Sequence, residues 1–469
     1  MEKLISLRNL LLMIMLLPFW LSLAAASEST VKYLPGFHGP LPFDLETGYI
    51  GVGEAEELQL FYYFVKSERN PEEDPLLLWL TGGPGCSSFS GLAYEVGPFR
   101  FQQAEYNGTL PTLVYNPNSW TKVASMIFID SPVGTGFSYA TTNSSAIQPG
   151  DIVQVSHAQE FLRRWLTKHS EFLSNPLYIA GDSYSGITIP AIVQLLSIGN
   201  ENGVQPMLNL KGYMIGNPIT GGGFDSNARI PYAHGMALIS YELYQSLEES
   251  CGGEYERIDP TNSECLNNLK AFDECLSGIQ PGNILDPVCK FASRKPVEIV
   301  ARRKIMQDKA QPYLAIDPPD FSCSPLLYSY ELCKYWANDV QVRKALHIRE
   351  VKIVLAVKKM LGEFTHLDHK PKMIVVLVLA GDGRGVDQIG DHDIMVPFLG
   401  TQTWIRALNY SIVEDWRSWH VQSQVAGYTR TFSNGMTYAT VKGGAHTAPE
   451  NRPKECFAMF RRWINHEPL

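Results

Sequence analysis

Residues 177–186 read Leu-Tyr-Ile-Ala-Gly-Asp-Ser-Tyr-Ser-Gly, four β-prone residues running into a turn of small residues with Ser183 at its tip. The following stretch, Ile187 to Leu196, is apolar and helix-like. A strand, a sharp turn holding a serine and a helix make a nucleophile elbow. The turn lifts the hydroxyl clear of the sheet, and the helix N-terminus favours negative charge that develops beside it. Ser185, at the fifth position of the G-x-S-x-G pattern, is small enough for such a turn. The competing reading is an ordinary Gly/Ser turn between strand and helix, so the pattern has to find its partners elsewhere in the chain.

A serine hydroxyl is a weak nucleophile without a base, and in this class the chain order is Ser, then an acid, then His. Val441-Lys-Gly-Gly-Ala-His446-Thr-Ala-Pro449 puts a histidine in a glycine-rich loop after a strand-like run. Two acidic turns precede it, Gly381-Asp382-Gly383 and Gly390-Asp391-His392-Asp393. Upstream, Leu78-Trp-Leu-Thr81-Gly82-Gly83-Pro-Gly-Cys86-Ser-Ser88 is a glycine-rich loop directly after a strand. That is where one backbone N–H completes an oxyanion hole with the amide after the nucleophile, which selects Gly83 and Tyr184 as donors. A phosphate-cradling loop would end in G-K-[ST], and this one does not. His366 and His369 lie three apart with no supporting acidic cluster, so neither a metal nor any other cofactor is expected.

Outward from these motifs, Leu58–Val65, Pro75–Leu80, Met126–Ile129 and Leu177–Ala180 read as short strands. Ile152 to His169 carries Val153, Val155, Phe161, Leu162, Trp165 and Leu166 at helical spacing. Strands alternating with helices predict a mostly parallel central sheet, the α/β-hydrolase fold. After Gly216-Asn217-Pro218 the texture turns glycine-rich, cysteine-rich and charged until about Trp336. We read 27–219 as the first part of the core, 220–340 as an inserted cap stapled by disulfides, and 341–469 as the rest of the core.

The chain is 45% hydrophobic and 19% charged, the balance of a packed globular protein, and its formal charge of −9 argues against a nucleic-acid partner. Lys3 and Arg8, an apolar run from Leu10 to Leu23, and Ala24-Ala25-Ala26 before Ser27 form a signal-peptide pattern over 1–26. No later run is long enough to span a bilayer, so no membrane association is expected once that segment is removed. Passage through an oxidising compartment makes the eight cysteines disulfide candidates. It also makes the N-x-Ser/Thr sequons at Asn107, Asn143 and Asn409 glycosylation candidates.

These motifs are joined by Ser131-Pro-Val-Gly-Thr-Gly-Phe-Ser138, Gly216-Asn217-Pro218, Tyr335-Trp-Ala-Asn-Asp339 and Val342-Arg-Lys-Ala-Leu-His347. Together they resemble the plant serine carboxypeptidase-like family from about Val31 to Ile464. The resemblance implies a triad of Ser183, Asp393 and His446, disulfides Cys251–Cys265 and Cys289–Cys323, and an extracellular or vacuolar destination. Carboxypeptidases of the family carry Asn and Glu where this chain has Thr81 and Asp182, residues that bind the peptide's terminal carboxylate. The pattern here is similar to the branch containing acyltransferases that use glucose esters of phenolic acids. The implied partners are therefore a small acyl donor and acceptor, with Thr81, Gly82, Asp182 and Glu95 lining their site. Glu95 matches the other carboxylate-recognition position and keeps a peptide substrate open. The resemblance breaks over 350–390, where the family's cysteine partner for the position of Cys86 is missing. There the apolar run Met373–Ala380 offers itself as the strand, which makes Asp382 an alternative acid to Asp393. A catalytically impaired relative is the third reading. Oligomeric state is not encoded in any of these motifs.

Overall fold

The computed structural model describes residues 30–104, 106–141, 150–221, 223–288, 325–349 and 384–469, with side chains from 330 in the fifth of these segments. Its frame is one twisted sheet. In chain order the strands are β1 (Thr30–Val31), β2 (Leu45–Val52), β3 (Leu58–Val65), β4 (Leu76–Leu80), β5 (Phe99–Phe101), β6 (Leu113–Tyr115) and β7 (Ser125–Ile129). Then come β8 (Tyr139–Ala140), β9 (Leu177–Asp182), β10 (Leu210–Gly216), β11 (Arg384–Gly390), β12 (Ile412–Val421), β13 (Gln424–Phe432) and β14 (Met436–Val441). The main sheet runs β1-β2-β3-β7-β4-β9-β10-β11-β14-β13-β12, with β8 on β3, while β5 and β6 pair separately. The central strands β7-β4-β9-β10-β11-β14 are mutually parallel and the flanks are antiparallel. This is the α/β-hydrolase architecture read from the sequence.

Parallel strands buried on both faces read as continuous apolar runs, and β4 (LLLWL) and β7 (SMIFI) do. Leu77 and Trp79 of β4 join a core cluster with Trp120, Phe460 and Trp463, the last two from helix α11 (Pro453–Ile464). Leu76, Leu78 and Leu80 join the opposite cluster under α1 (Asp151–Lys168) and α2 (Ser185–Glu201). In α1 the buried face is Val155, Ala158, Phe161, Leu162, Trp165 and Leu166, each large side chain stabilising by about 1.5–3 kcal/mol when fully covered. Val153, expected on that face, is 37% exposed, because it lies on the outer side of the first helical turn.

Between β10 and β11 the chain builds a helical insertion: α3 (Phe224–Asn227), α4 (Arg229–Gly235), α5 (Tyr241–Cys251), α6 (Ser263–Cys275), α7 (Pro325–Asn338) and α8 (Val340–Ala345). Cys251 and Cys265 join α5 to α6 in a disulfide. Cys289, Cys323, Asp382, Asn143, the His366/His369 pair, residues 1–26 and Met373–Ala380 lie outside the described residues. Among those described, Cys275, Cys333 and Cys456 form no disulfide, and no helix is long and apolar enough to cross a membrane. The strand before the Gly-Asp-His-Asp turn is Arg384–Gly390, a polar-looking run that the sequence reading passed over. After β14 come α10 (Ala448–Asn451) and α11; α9 (Phe398–Ala407) follows β11.

Candidate active site

The carboxyl ends of β9, β11 and β14 lie on one edge of the sheet, where open α/β sheets place their ligands. Ser183 directly follows β9; its φ of 56° is the left-handed backbone of a sharp elbow, and α2 starts two residues later. Such a φ is costly for a side-chain-bearing residue and persists only where the surroundings hold it. Here Ser183 N donates to Gly216 O (2.8 Å), Ser183 O accepts from Ile219 N (2.9 Å), and Ser185 Oγ donates to Leu80 O (2.9 Å).

His446 follows β14 in its glycine-rich loop. Its Nε2 lies 2.8 Å from Ser183 Oγ and its Nδ1 2.7 Å from Asp393 Oδ2. Asp393 is fully buried three residues past β11. Its Oδ1 accepts from Met395 N (2.7 Å) and Val396 N (3.1 Å), and its Oδ2 also accepts from Asn217 Nδ2 (2.8 Å). A carboxylate held by this many donors fixes the imidazole's orientation and tautomer. Burial alone would lower the His446 pKa, but the Asp393 carboxylate, and then Asp182, outweigh it and hold the net value above that of an ordinary histidine.

Gly82 packs against the elbow so closely that a Cβ there would meet Tyr184 N at 2.5 Å and Ser183 Cβ at 2.7 Å. That contact sets the glycine loop against the backbone of Ser183 and Tyr184. The loop is braced from behind by the Ser131–Ser138 segment. Asp130 takes Ser87 Oγ (2.5 Å) and Phe137 N (2.8 Å), while Thr135 Oγ1 donates to Gly85 O (3.4 Å).

Asp182 and Glu95 are both buried beside the serine. Burial lifts the Asp182 carboxyl to about 6, against the pull of His446 and of the Gly82 N–H. Burial, then the charges of Asp182 and Glu450, hold Glu95 well above the usual carboxylate range, and neither of its oxygens has a hydrogen-bond partner among the described residues. A protonated Glu95 is able to donate to an anionic or carbonyl oxygen. Thr81 is buried too, with its Oγ1 accepting from Trp79 Nε1 (3.2 Å) and Ser90 Oγ (3.3 Å). A small cavity behind the triad is lined by Glu95, Asp182, Asn217, Gln388 and His446.

The residues singled out around Ser183 therefore converge, and Asp393 is the acid that meets His446. Asn107 and Asn409 are exposed. Three groups went unassigned in the sequence: Asn217, which links β10 to Asp393; Asp130 beneath the glycine loop; and Glu450. Asn217 and Asp130 stood within or beside quoted motifs, but nothing local announced their contacts. Among the described residues no cluster of His, Cys, Asp and Glu has the makings of a metal site.

A family model for serine carboxypeptidases matches residues 35–466. Serine carboxypeptidase-like 2 of Arabidopsis thaliana is 51% identical over 452 residues, covering 94% of each chain. Serine carboxypeptidase-like 19 of the same plant is 48% identical over 480 aligned positions, covering 98% of this chain and all of the relative. The crystal structure of a prohormone-processing carboxypeptidase from Saccharomyces cerevisiae superposes with a TM-score of 0.68 at 20% identity, over 94% of this chain and 96% of that one, a likeness of fold.

Proposed function

The chain belongs to the serine carboxypeptidase family and is an enzyme of that kind, and on that premise we propose that it transfers an acyl group through an ester on Ser183. The donor we assign is a glucose ester of a phenolic acid and the acceptor a hydroxyl compound. The observation that carries the acyl-enzyme is the unbroken hydrogen-bonded row from Asp393 through His446 to Ser183 Oγ. His446 Nε2 takes the Ser183 proton as Oγ attacks the ester carbonyl. The Gly83 and Tyr184 amides stabilise the oxyanion, a term worth about 10²–10³ in rate per donor. His446 returns the proton to the glucose oxygen as the ester C–O bond breaks. It then takes the proton of the acceptor hydroxyl as that oxygen attacks the acyl-enzyme, and gives it to Ser183 Oγ as the bond from the acyl carbon to Oγ breaks.

What supports transfer over peptide cleavage is Thr81, whose hydroxyl is turned inward to Trp79 and Ser90, where the family's peptidases offer an amide to a carboxylate. Carboxypeptidase activity is the second reading, favoured by the buried pair Glu95 and Asp182, which with one proton between them can hold a peptide's terminus. We place the enzyme in the secretory pathway, bound for the vacuole or the cell exterior and glycosylated at Asn107, Asn143 and Asn409. Product analysis decides between the reactions: purified protein and Ser183→Ala receive phenolic glucose esters with alcohol acceptors, beside a blocked dipeptide. Ser183-dependent new esters are expected; release of the dipeptide's last residue with no ester transfer would replace this reading by the second.

A further inference from the structure

The loop that carries His446 begins with Gly443, at a φ of 74°, and Gly444, and the core holds that first part: Gly443 N donates to Asp391 Oδ1 (2.7 Å) and Gly444 O accepts from His392 N (2.9 Å). At His446 and Thr447 the helical insertion adds holds on two sides. On one side a strap of the insertion, Pro281–Ile284, threads between the acid loop and the histidine loop. Gly282 O accepts from His446 N (2.7 Å), Pro281 O accepts from Ile394 N (3.1 Å) and Met395 N (3.2 Å), and Ile284 N donates to His392 O (3.0 Å). On the other side Tyr330 of α7 donates its hydroxyl to Glu450 Oε2 (2.7 Å), and the same oxygen accepts from Thr447 Oγ1 (2.8 Å), the residue next to His446.

Glu450 is otherwise hard to account for. It is 8% exposed, its second oxygen has no hydrogen-bond partner among the described residues, and burial pushes its carboxyl up to about 7 despite its two hydroxyl donors. Burying a carboxyl costs free energy that a well-packed apolar side chain would not. The geometry it imposes is what the cost returns.

We propose that the insertion is a positioning device for the catalytic histidine: the strap at Gly282 and the Tyr330–Glu450–Thr447 bridge clamp the His446 loop from both sides, so that the triad is in register only while the insertion is docked. Glu450 and Tyr330 are thus positioning residues that act through Thr447 and His446. The inference rests on the reading of Ser183 and His446 as nucleophile and base.

The test is the second-order rate at which a fluorophosphonate labels Ser183 in the full chain, with thermal unfolding followed in parallel. Labelling reports nucleophile activation and needs no knowledge of the natural substrate. Glu450→Ala and Tyr330→Phe are expected to slow labelling by about ten- to a hundredfold, since a misplacement of about 1 Å at a reacting group costs that much. Glu450→Gln, which keeps an acceptor oxygen for both hydroxyls, is expected to stay within about threefold of wild type, a rescue that bulk stability would not produce. Gly282→Ala places a Cβ at an ordinary 3.6 Å from His446 Cβ and should be mild, whereas Gly282→Val, with two further methyl groups, should slow labelling. Should Glu450→Ala fail to fold, Tyr330→Phe removes a single oxygen and decides alone. Unchanged labelling in folded Glu450→Ala or Tyr330→Phe overturns the inference. Absence of labelling in the wild type overturns instead the reading on which it rests.

Discussion

Strands β9 and β11 flank β10 on either side, both parallel to it, and each delivers one end of the hydrogen-bonded row through His446. They could hardly differ more in sequence. β9 is Leu-Tyr-Ile-Ala-Gly-Asp and buries apolar side chains into both core faces; β11 is Arg-Gly-Val-Asp-Gln-Ile-Gly, yet all but its first residue are buried. Gln388 finds Cys456 Sγ at 2.9 Å for its amide, whereas Asp387 has both oxygens buried and without a hydrogen-bond partner among the described residues. The difference separates two things a strand must do. Its place in a parallel sheet is set by backbone pairing on both sides and by the turn beyond it, where Asn217 Oδ1 accepts from Gly390 N (2.9 Å) while its amide holds Asp393. Its contribution to stability depends on what its side chains bury. β11 retains the first and sacrifices part of the second.

The comparison is broken most decisively at the end of β11. Asp393→Asn should lower kcat by about 10⁴-fold, the loss expected when an imidazole is held in the wrong tautomer. Steady-state rates on whichever ester or peptide the enzyme accepts will measure it. A loss under tenfold would mean that β11, for all its pairing, does not supply the acid.

A smaller effect sharpens the stability side. Asp387→Val should raise the unfolding free energy at pH 7 by roughly 1–3 kcal/mol, the penalty of an unsatisfied buried polar group. Burial holds the Asp387 carboxyl well above its ordinary value of 3.8. A group raised in the folded state favours folding below its unfolded pKa, and that contribution is lost as pH rises through the folded value. The advantage of the variant should therefore be largest at neutral pH and shrink as pH falls toward 4. Urea unfolding of both proteins across that range checks it, and a gap that ignores pH would show that Asp387 is not the source.

The same contrast explains what was legible beforehand. The elbow at Ser183, the glycine loop at 82–85 and the His446 loop are local devices, each needing small residues at fixed offsets, so their spacing alone exposes them. Asp393 was harder. With no apolar run over 384–390 to announce a strand, Asp382 and Asp393 stayed equivalent until resemblance favoured the second. Asn217 acts on a residue 176 positions away and Tyr330 on one 120 away. Nothing in the spacing of either residue encodes such a contact, which exists only once the sheet edge and the insertion have come together. Val153 failed for another reason: two residues before Val155, about 200° around the helix, it faces away from the side that packs on the core.

The central claim is that one serine, lifted by the elbow of β9 and activated through β14 and β11, carries the acyl group. Its most direct test is to treat the intact protein with a fluorophosphonate and map the adduct by peptide mass spectrometry. The account predicts stoichiometric labelling confined to the peptide containing Ser183 and abolished in Ser183→Ala. Label on another residue, or a native protein that takes none, would contradict it.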